Sequence, residues 1–296
     1  MADGFSPSLS NEAVQSKKPG TETLQNPLML QRHSADSTRK NLTGRQTAGL
    51  GMQLMRFGIS VAVILGLWQS CVTLFELPPF ILPGPLAVFT KLVERFDVLW
   101  QHTLVTGSEV ILGLMLGLTM GLFFALQMLL FAPLRRWLLP ILITSQAIPV
   151  FAIAPILMLW LGYGIASKVV MAALIIFFPV TTCCYDGLRH TPHGYLDLAK
   201  TMGATRWQLL WRIRLPAALP ALASGIRVAV VVAPIGAVIG EWVGSSEGLG
   251  YIMLQANARM FVDEMFAALF ILAFFSVTLY FAADMLLKKA IPWQKQ

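Results

Sequence analysis

Charge is what this chain has least of. Only 12% of its 296 residues are Asp, Glu, Lys or Arg, against about 25% in soluble domains, so a water-exposed globular surface is excluded. Cysteine is nearly absent: Cys71, Cys183 and Cys184 are odd in number, sit in apolar runs and lack metal spacing, which rules out a disulfide scaffold and reads as ordinary packing residues. No Gly-x4-Gly-Lys-Ser/Thr phosphate loop occurs, and the nearest approach, Gly162 to Lys168, lacks the Gly-Lys pair. His33, His102, His190 and His193 have no zinc spacing with the cysteines, and no nucleophile motif is present. These absences speak against an enzyme, and no cofactor is implied. An apolar core directly behind a basic N-terminus is also missing, so no signal peptide is expected.

What the chain does have is apolar length. Hydrophobic residues make up 56%, gathered in runs long enough for the roughly 20 residues that cross a bilayer core. The expected spans are Phe57–Phe75, Val110–Leu134, a long run Trp137–Ser167 broken by Pro140, Pro149 and Pro155, then Val169–Tyr185, Pro220–Gly240 with Arg227 inside it, and Met265–Ala283. Six spans predict an all-α integral membrane protein, because helices satisfy their own backbone groups in lipid. The first fifty or so residues hold few large apolar side chains and predict a disordered tail.

The scarce charge is unevenly placed. Seventeen of the 22 Lys and Arg fall on one side of the expected spans, four on the other and one within a span; without the distant Lys17, Lys18 and Arg32 the ratio is still fourteen to four. The positive-inside rule then puts both termini in the cytosol, with the polar island around residues 189–216. The net charge of +7 follows from this bias and is no sign of nucleic acid.

Polar and bending residues mark the segments that are more than anchors. Leu77-Pro78-Pro79-Phe80-Ile81-Leu82-Pro83-Gly84-Pro85 forbids a regular helix, and Leu86 to Phe96 carries an amphipathic pattern that predicts a short interfacial helix. Gly113, Gly117 and Gly121 share one helix face, for packing within the chain or for a dimer seam. Ser145 and Gln146 in the Pro-broken third run either line a pathway or make an interhelical hydrogen bond. Glu109 is expected at the edge of its span, snorkelling toward water. Arg227 and Glu241 lie fourteen residues apart, roughly 21 Å along one helix, too far to pair; Arg227 is expected to snorkel, and Glu241 either anchors a loop or faces the pathway.

The island carries the most specific pattern. Asp197-Leu198-Ala199-Lys200-Thr201-Met202-Gly203 is followed, nine residues after the glycine, by Ile213-Arg214-Leu215-Pro216. Leu196, Ala199 and Met202 are placed on one side of a first short helix, and Leu209, Leu210 and Ile213 on a second after Thr205 as N-cap. Gly203 lies between them, where a turn with positive φ carries no Cβ penalty.

This spacing resembles the signature of ABC importer permeases, Glu-Ala-Ala, three residues, Gly, nine residues, Ile-x-Leu-Pro. Asp197, Ala199, Gly203, Ile213, Leu215 and Pro216 match, with Asp in place of Glu at 197 and Leu in place of Ala at 198. The resemblance extends over roughly residues 77–290, including Glu247-Gly248-Leu249-Gly250-Tyr251 before the last span. It is nearest to the branch importing nitrate, sulfonates, taurine and the hydroxymethylpyrimidine precursor of thiamine. It implies a type I importer-like permease core over 104–288 with an ATPase-coupling loop at 189–216, preceded by a tail over 1–52 and a first span with an outer amphipathic segment over 53–103. It also implies a cytosolic ATPase that docks on the island, an extracytoplasmic solute-binding protein, a second permease copy and residence in a bacterial inner membrane. An ion-coupled secondary transporter and a non-transporting membrane subunit are the alternatives; the first would normally show intramembrane carboxylates or inverted repeats.

Overall fold

The computed structural model describes Met52, residues 55–56 and residues 58–293. Apart from Met52, the segment expected to be a disordered tail lies outside the described residues. The chain divides into two units, Met1–Ile64 and Leu65–Gln296. In the first, the described backbone is helical.

The described residues form helices and connecting turns, with no strand among them. In order they are α1 (Gly58–Leu74), α2 (Pro85–Glu94), α3 (Phe96–Leu130), α4 (Ala132–Ser145), α5 (Val150–Leu161), α6 (Ile165–Arg189), α7 (His193–Thr201), α8 (Arg206–Leu209), α9 (Leu215–Gly244), α10 (Leu249–Ala258) and α11 (Val262–Ala290). α2 occupies the segment expected to form a short amphipathic helix, started by Pro85 in its first turn, with Leu86, Phe89 and Val93 exposed and Val88 buried. One π-helical turn, Leu210–Arg214, joins α8 to α9, so Arg206–Gly244 is a continuous helix of 39 residues. The island's second helix is therefore the start of the fifth span. The wide turn precedes Pro216, whose ring would otherwise meet the carbonyl one α-turn back.

Helices α3, α6 and α9 build the core. Gly113, Gly117 and Gly121 of α3 face Ala172, Ile176 and Val180 of α6, pairs that climb together, so these helices run parallel. A Cβ on Gly117 would lie 2.7 Å from Ile176 Cγ2; the glycine face is thus occupied inside the chain. Helix α9 runs the other way, with Gly225 on Cys183, Gly236 on Ala172 and Gly240 beside Lys168. Cys183 thus packs between helices, Cys184 is buried and Cys71 is exposed. α11 runs parallel to α3, touching Arg95 through Glu264, Gly107 through Phe275 and Arg227 of α9 through Asp284.

Because α3 and α6 point the same way, α4 and α5 together must carry the chain back between them. They do so with a 105° bend at residues 146–149, where Pro149 lacks the amide needed to continue a helix. Four helices, α3, α6, Arg206–Gly244 and α11, are individually long and apolar enough to span, and the bent pair adds a fifth crossing. The expectation of six full spans is met less fully at α1, whose 17 described residues reach about 26 Å before the chain breaks at Glu76 (φ 46°) and Pro78. The two ends of the bundle are chemically distinct: α7 and α8 occupy one, hereafter the signature end, and α10 lies at the far end.

Candidate functional site

At the signature end, α7 stops in a double hydrogen-bonded turn. Gly203 N–H donates to the Lys200 carbonyl at 2.9 Å and Ala204 N–H to the Ala199 carbonyl at 3.0 Å, with Gly203 at φ +78°. These are the two bonds of a Schellman motif, whose left-handed residue is ordinarily glycine. Two residues on, Thr205 caps α8: its hydroxyl accepts from Gln208 N–H at 3.3 Å while the Gln208 side chain accepts from Thr205 N–H at 2.8 Å, a reciprocal capping box. The turn is thus rigid at both sides of a glycine whose own surroundings are open.

Burial of Leu196 and Leu210 holds this hairpin against the bundle, while Tyr195, Leu198, Met202, Trp207 and Trp211 stay exposed. Met202, placed with Leu196 on one apolar side by the sequence pattern, points outward instead, because it is the C-cap rather than a helical residue. Leu198, Ala199, Met202, Ile213, Pro216 and the C-terminal Trp293 line an open groove of about 420 Å3. Asp197 is exposed and accepts a hydrogen bond from Lys200 at 2.9 Å; that bond and the lysine charge hold its carboxyl below the usual aspartate value. Lys200, Arg206 and Arg212 are all exposed, and Arg212 lines the groove.

The far end has the opposite character. The first four N–H groups of a helix have no partner within it, and α10 receives partners from other elements. Gly248 N–H donates to His102 Nδ1 at 2.8 Å, Leu249 N–H to Thr106 Oγ1 at 2.8 Å, and Gly250 and Tyr251 N–H both to Glu241 Oε2. Thr106 in turn donates to Glu241 Oε1 at 2.6 Å. A carboxylate here also meets the positive end of the α10 dipole. Gly248, at φ +111°, and Gly250 lie so close to Glu241 that a Cβ on either would collide with its carboxylate, so the Gly-Leu-Gly run exists to let that carboxylate in.

Beside this cap, Lys168 Nζ lies 2.9 Å from Glu109 Oε1 and donates to Ser245 Oγ at 2.6 Å. Glu109 and Glu241 are fully buried and Lys168 is 6% exposed. Glu109 therefore does not snorkel: α3 and α6 begin earlier than hydropathy suggests and carry Glu109 and Lys168 inward. Arg227 likewise does not snorkel; its Nε bonds Asp284 Oδ1 of α11 at 2.8 Å.

Of the candidate pathway residues, Ser145 and Gln146 sit at the α4–α5 bend, both exposed, with the Ser145 hydroxyl donating to its own helix at Leu142. Glu241 stands apart from them, committed to the α10 cap. His102, Thr106 and Lys168 were not singled out by sequence pattern as site residues. A signal existed: His102, Thr106 and Glu109 are spaced i, i+4, i+7, one polar stripe along a face of α3.

Residues 113–295 match the family described as binding-protein-dependent transport system inner membrane component. The chain belongs to that family. This permease is 58% identical over 240 residues to a probable ABC transporter permease protein of Haemophilus influenzae, covering 81% of this chain and 98% of the relative. It is 38% identical over 219 residues to the formylaminopyrimidine transport permease protein ThiX of Halalkalibacterium halodurans, covering 74% and 88%. Among solved structures, the permease fold superposes on a chain of the methionine ABC transporter MetNI with a TM-score of 0.53 at 22% identity, covering 66% of this chain and 94% of that one. The protein is thus an ABC importer permease, an integral inner-membrane subunit that moves a small solute.

Proposed function

We propose that the permease imports hydroxymethylpyrimidine or a related thiamine precursor, driven by a separate ATPase that docks on the signature end. In this reading the signature end and both termini face the cytosol, two copies of the chain pair, and a solute-binding protein delivers cargo to the far end. Nitrate, a sulfonate or taurine is the second class of cargo, carried by the same branch resemblance. The observation that carries the docking assignment is the Schellman turn at Gly203. It presents Leu198, Met202 and Ile213 beside one groove that Arg212 also lines, and amphipathic helices are recognised through anchors presented together.

The test replaces Gly203 with Val, whose β-branched side chain is disfavoured at positive φ. The surroundings of Gly203 are open and it lies in the turn between α7 and α8, outside the bundle's helices, so the variant protein is expected in the membrane at near-normal amounts, without co-purifying ATPase and without uptake. Parent-like ATPase binding and uptake would remove the docking assignment. Reporters after Lys295 and near His193 are expected to read cytosol and one near Asp97 the opposite side; a His193 reporter outside would reverse the orientation.

A further inference from the structure

The groove at the signature end is lined in part by a residue that the Asp197-to-Pro216 pattern does not contain. Leu198, Ala199 and Met202 come to it from α7 and its cap, and Arg212 and Ile213 from the π-helical turn. Trp293 comes from the far side of α11, a separate part of the chain. Local chemistry puts it there. Ile291 N–H donates to the Leu287 carbonyl at 3.0 Å, which ends α11, and the Ile291 side chain is buried. Pro292 has no N–H with which to carry the helix on, so the chain turns off the helix from a pinned residue and delivers the indole to the groove.

Trp293 is 58% exposed, and Tyr195, which also lines the groove, is 62% exposed. Arg212 beside them forms no ion pair among the described residues. Trp, Tyr and Arg are the residue types that carry most of the energy at protein interfaces, and here one of each meets in a concave site. Lipid headgroups also suit an indole, but an indole on headgroups calls for no facing wall. The wall facing Trp293 holds Ala199, Ile213 and Pro216, three residues of the spacing that carries the docking assignment.

We infer that Trp293 is a docking residue for the ATPase: its indole meets an apolar side chain of that partner in the groove, with a partner carboxylate beside Arg212. The inference rests on the docking assignment above and extends it from the hairpin to the segment after α11. It also gives docking a second span to act on. Arg227 of α9 bonds Asp284 of α11 at 2.8 Å, and Lys288 holds the other oxygen of the same carboxylate at 2.8 Å. A partner seated in the groove therefore holds the start of α9 and the end of α11 together.

The experiment titrates the ATPase onto the full-length permease in nanodiscs. Trp293→Ala is expected to weaken binding about tenfold, and Trp293→Phe, which keeps an aromatic face, to stay within about threefold of the parent. Both should melt with the parent, since the indole is exposed. Parent-like affinity in Trp293→Ala overturns the inference, and so does a lowered melt, which would make Trp293 a structural residue. A second measurement identifies the occupant directly. In the complete transporter of permease, ATPase and binding protein, the photocrosslinker p-benzoylphenylalanine replaces Leu198, Trp293 or, as a control, Phe274, which is exposed on α11. Positions 198 and 293 are expected to crosslink to the ATPase and position 274 is not. Crosslinking from 198 without 293 overturns the role of Trp293 and leaves the docking assignment standing, whereas none from either position sinks that assignment itself. Capture of lipid or of a second permease copy from position 293 overturns the inference as well.

Discussion

The two ends of the bundle use polar residues for opposite purposes. At the far end Glu109, Lys168 and Glu241 are buried, and their partners lie on α3, α6, α9 and α10 of the same chain. At the signature end Asp197, Lys200, Arg206 and Arg212 are exposed, and the only ion pair among these four, Asp197–Lys200, joins neighbours on one helix turn. A buried charge that loses its partner costs several kcal/mol, whereas an exposed pair is worth about 0–1 kcal/mol. The far end therefore holds the fold, and the signature end leaves its chemistry available. The apolar residues show the same split: Leu249 and Ile252 are buried around α10, while Leu198, Met202, Trp207 and Trp211 stand outside the hairpin.

Substitutions can break this contrast, and the largest effect is expected at the far end. Glu241→Ala removes the acceptor of Thr106, Gly250 and Tyr251, leaving buried donors unpaired, and is expected to cost about 3–5 kcal/mol. Membrane abundance and thermal unfolding in detergent measure it, and a parent-like melting temperature would show that the cap is not a stabilising element. Lys168→Met should cost a similar amount, about 3–5 kcal/mol, by stranding Glu109. Adding Glu109→Gln is expected to recover much of that loss, and a double-mutant cycle that adds rather than compensates would dissolve the pair. Gly117→Val forces a side chain against Ile176 and is expected to cost about 1–3 kcal/mol, read as a lowered melting temperature with reduced yield.

Smaller effects are expected at the other end and sharpen the comparison. Gly203→Val should cost only about 1–2 kcal/mol, all of it local to the hairpin, so that limited proteolysis between α7 and α8 changes while the global melt barely moves. Asp197→Asn is expected to leave stability nearly unchanged. Its carboxyl is held below 3.8 by Lys200, so whatever it contributes is present above the unfolded value and fades as pH falls through the lowered folded value. Any gap between the melts of parent and Asp197→Asn should be small and constant from pH 5 to 8 and close as pH falls through the aspartate range; a gap that changes with pH between 5 and 8 would mean a partner other than Lys200.

Much of the signature end was legible in the sequence because its determinants are local. Gly203 and Thr205 act on backbone groups three to five residues away, so spacing alone exposes them. The far end was illegible for the reverse reason. Hydropathy averages treat Glu109 and Lys168 as span-edge charges, yet they meet across 59 positions of chain, and the pairing of Arg227 with Asp284 crosses 57. The prolines of the third run permit bending, but a proline does not say how far: the 105° angle belongs to a segment that must carry the chain back between the parallel α3 and α6.

By itself the sequence determined that the chain is helical and membrane-embedded, that its cations cluster on one side, and that a glycine turn follows Asp197, since each depends on composition or on contacts within a turn of helix. Only the tertiary structure decided which polar groups are satisfied and which remain free. That choice is made by helices α3, α6, α9 and α10 meeting, and partners separated by tens of residues leave no periodic trace in the chain.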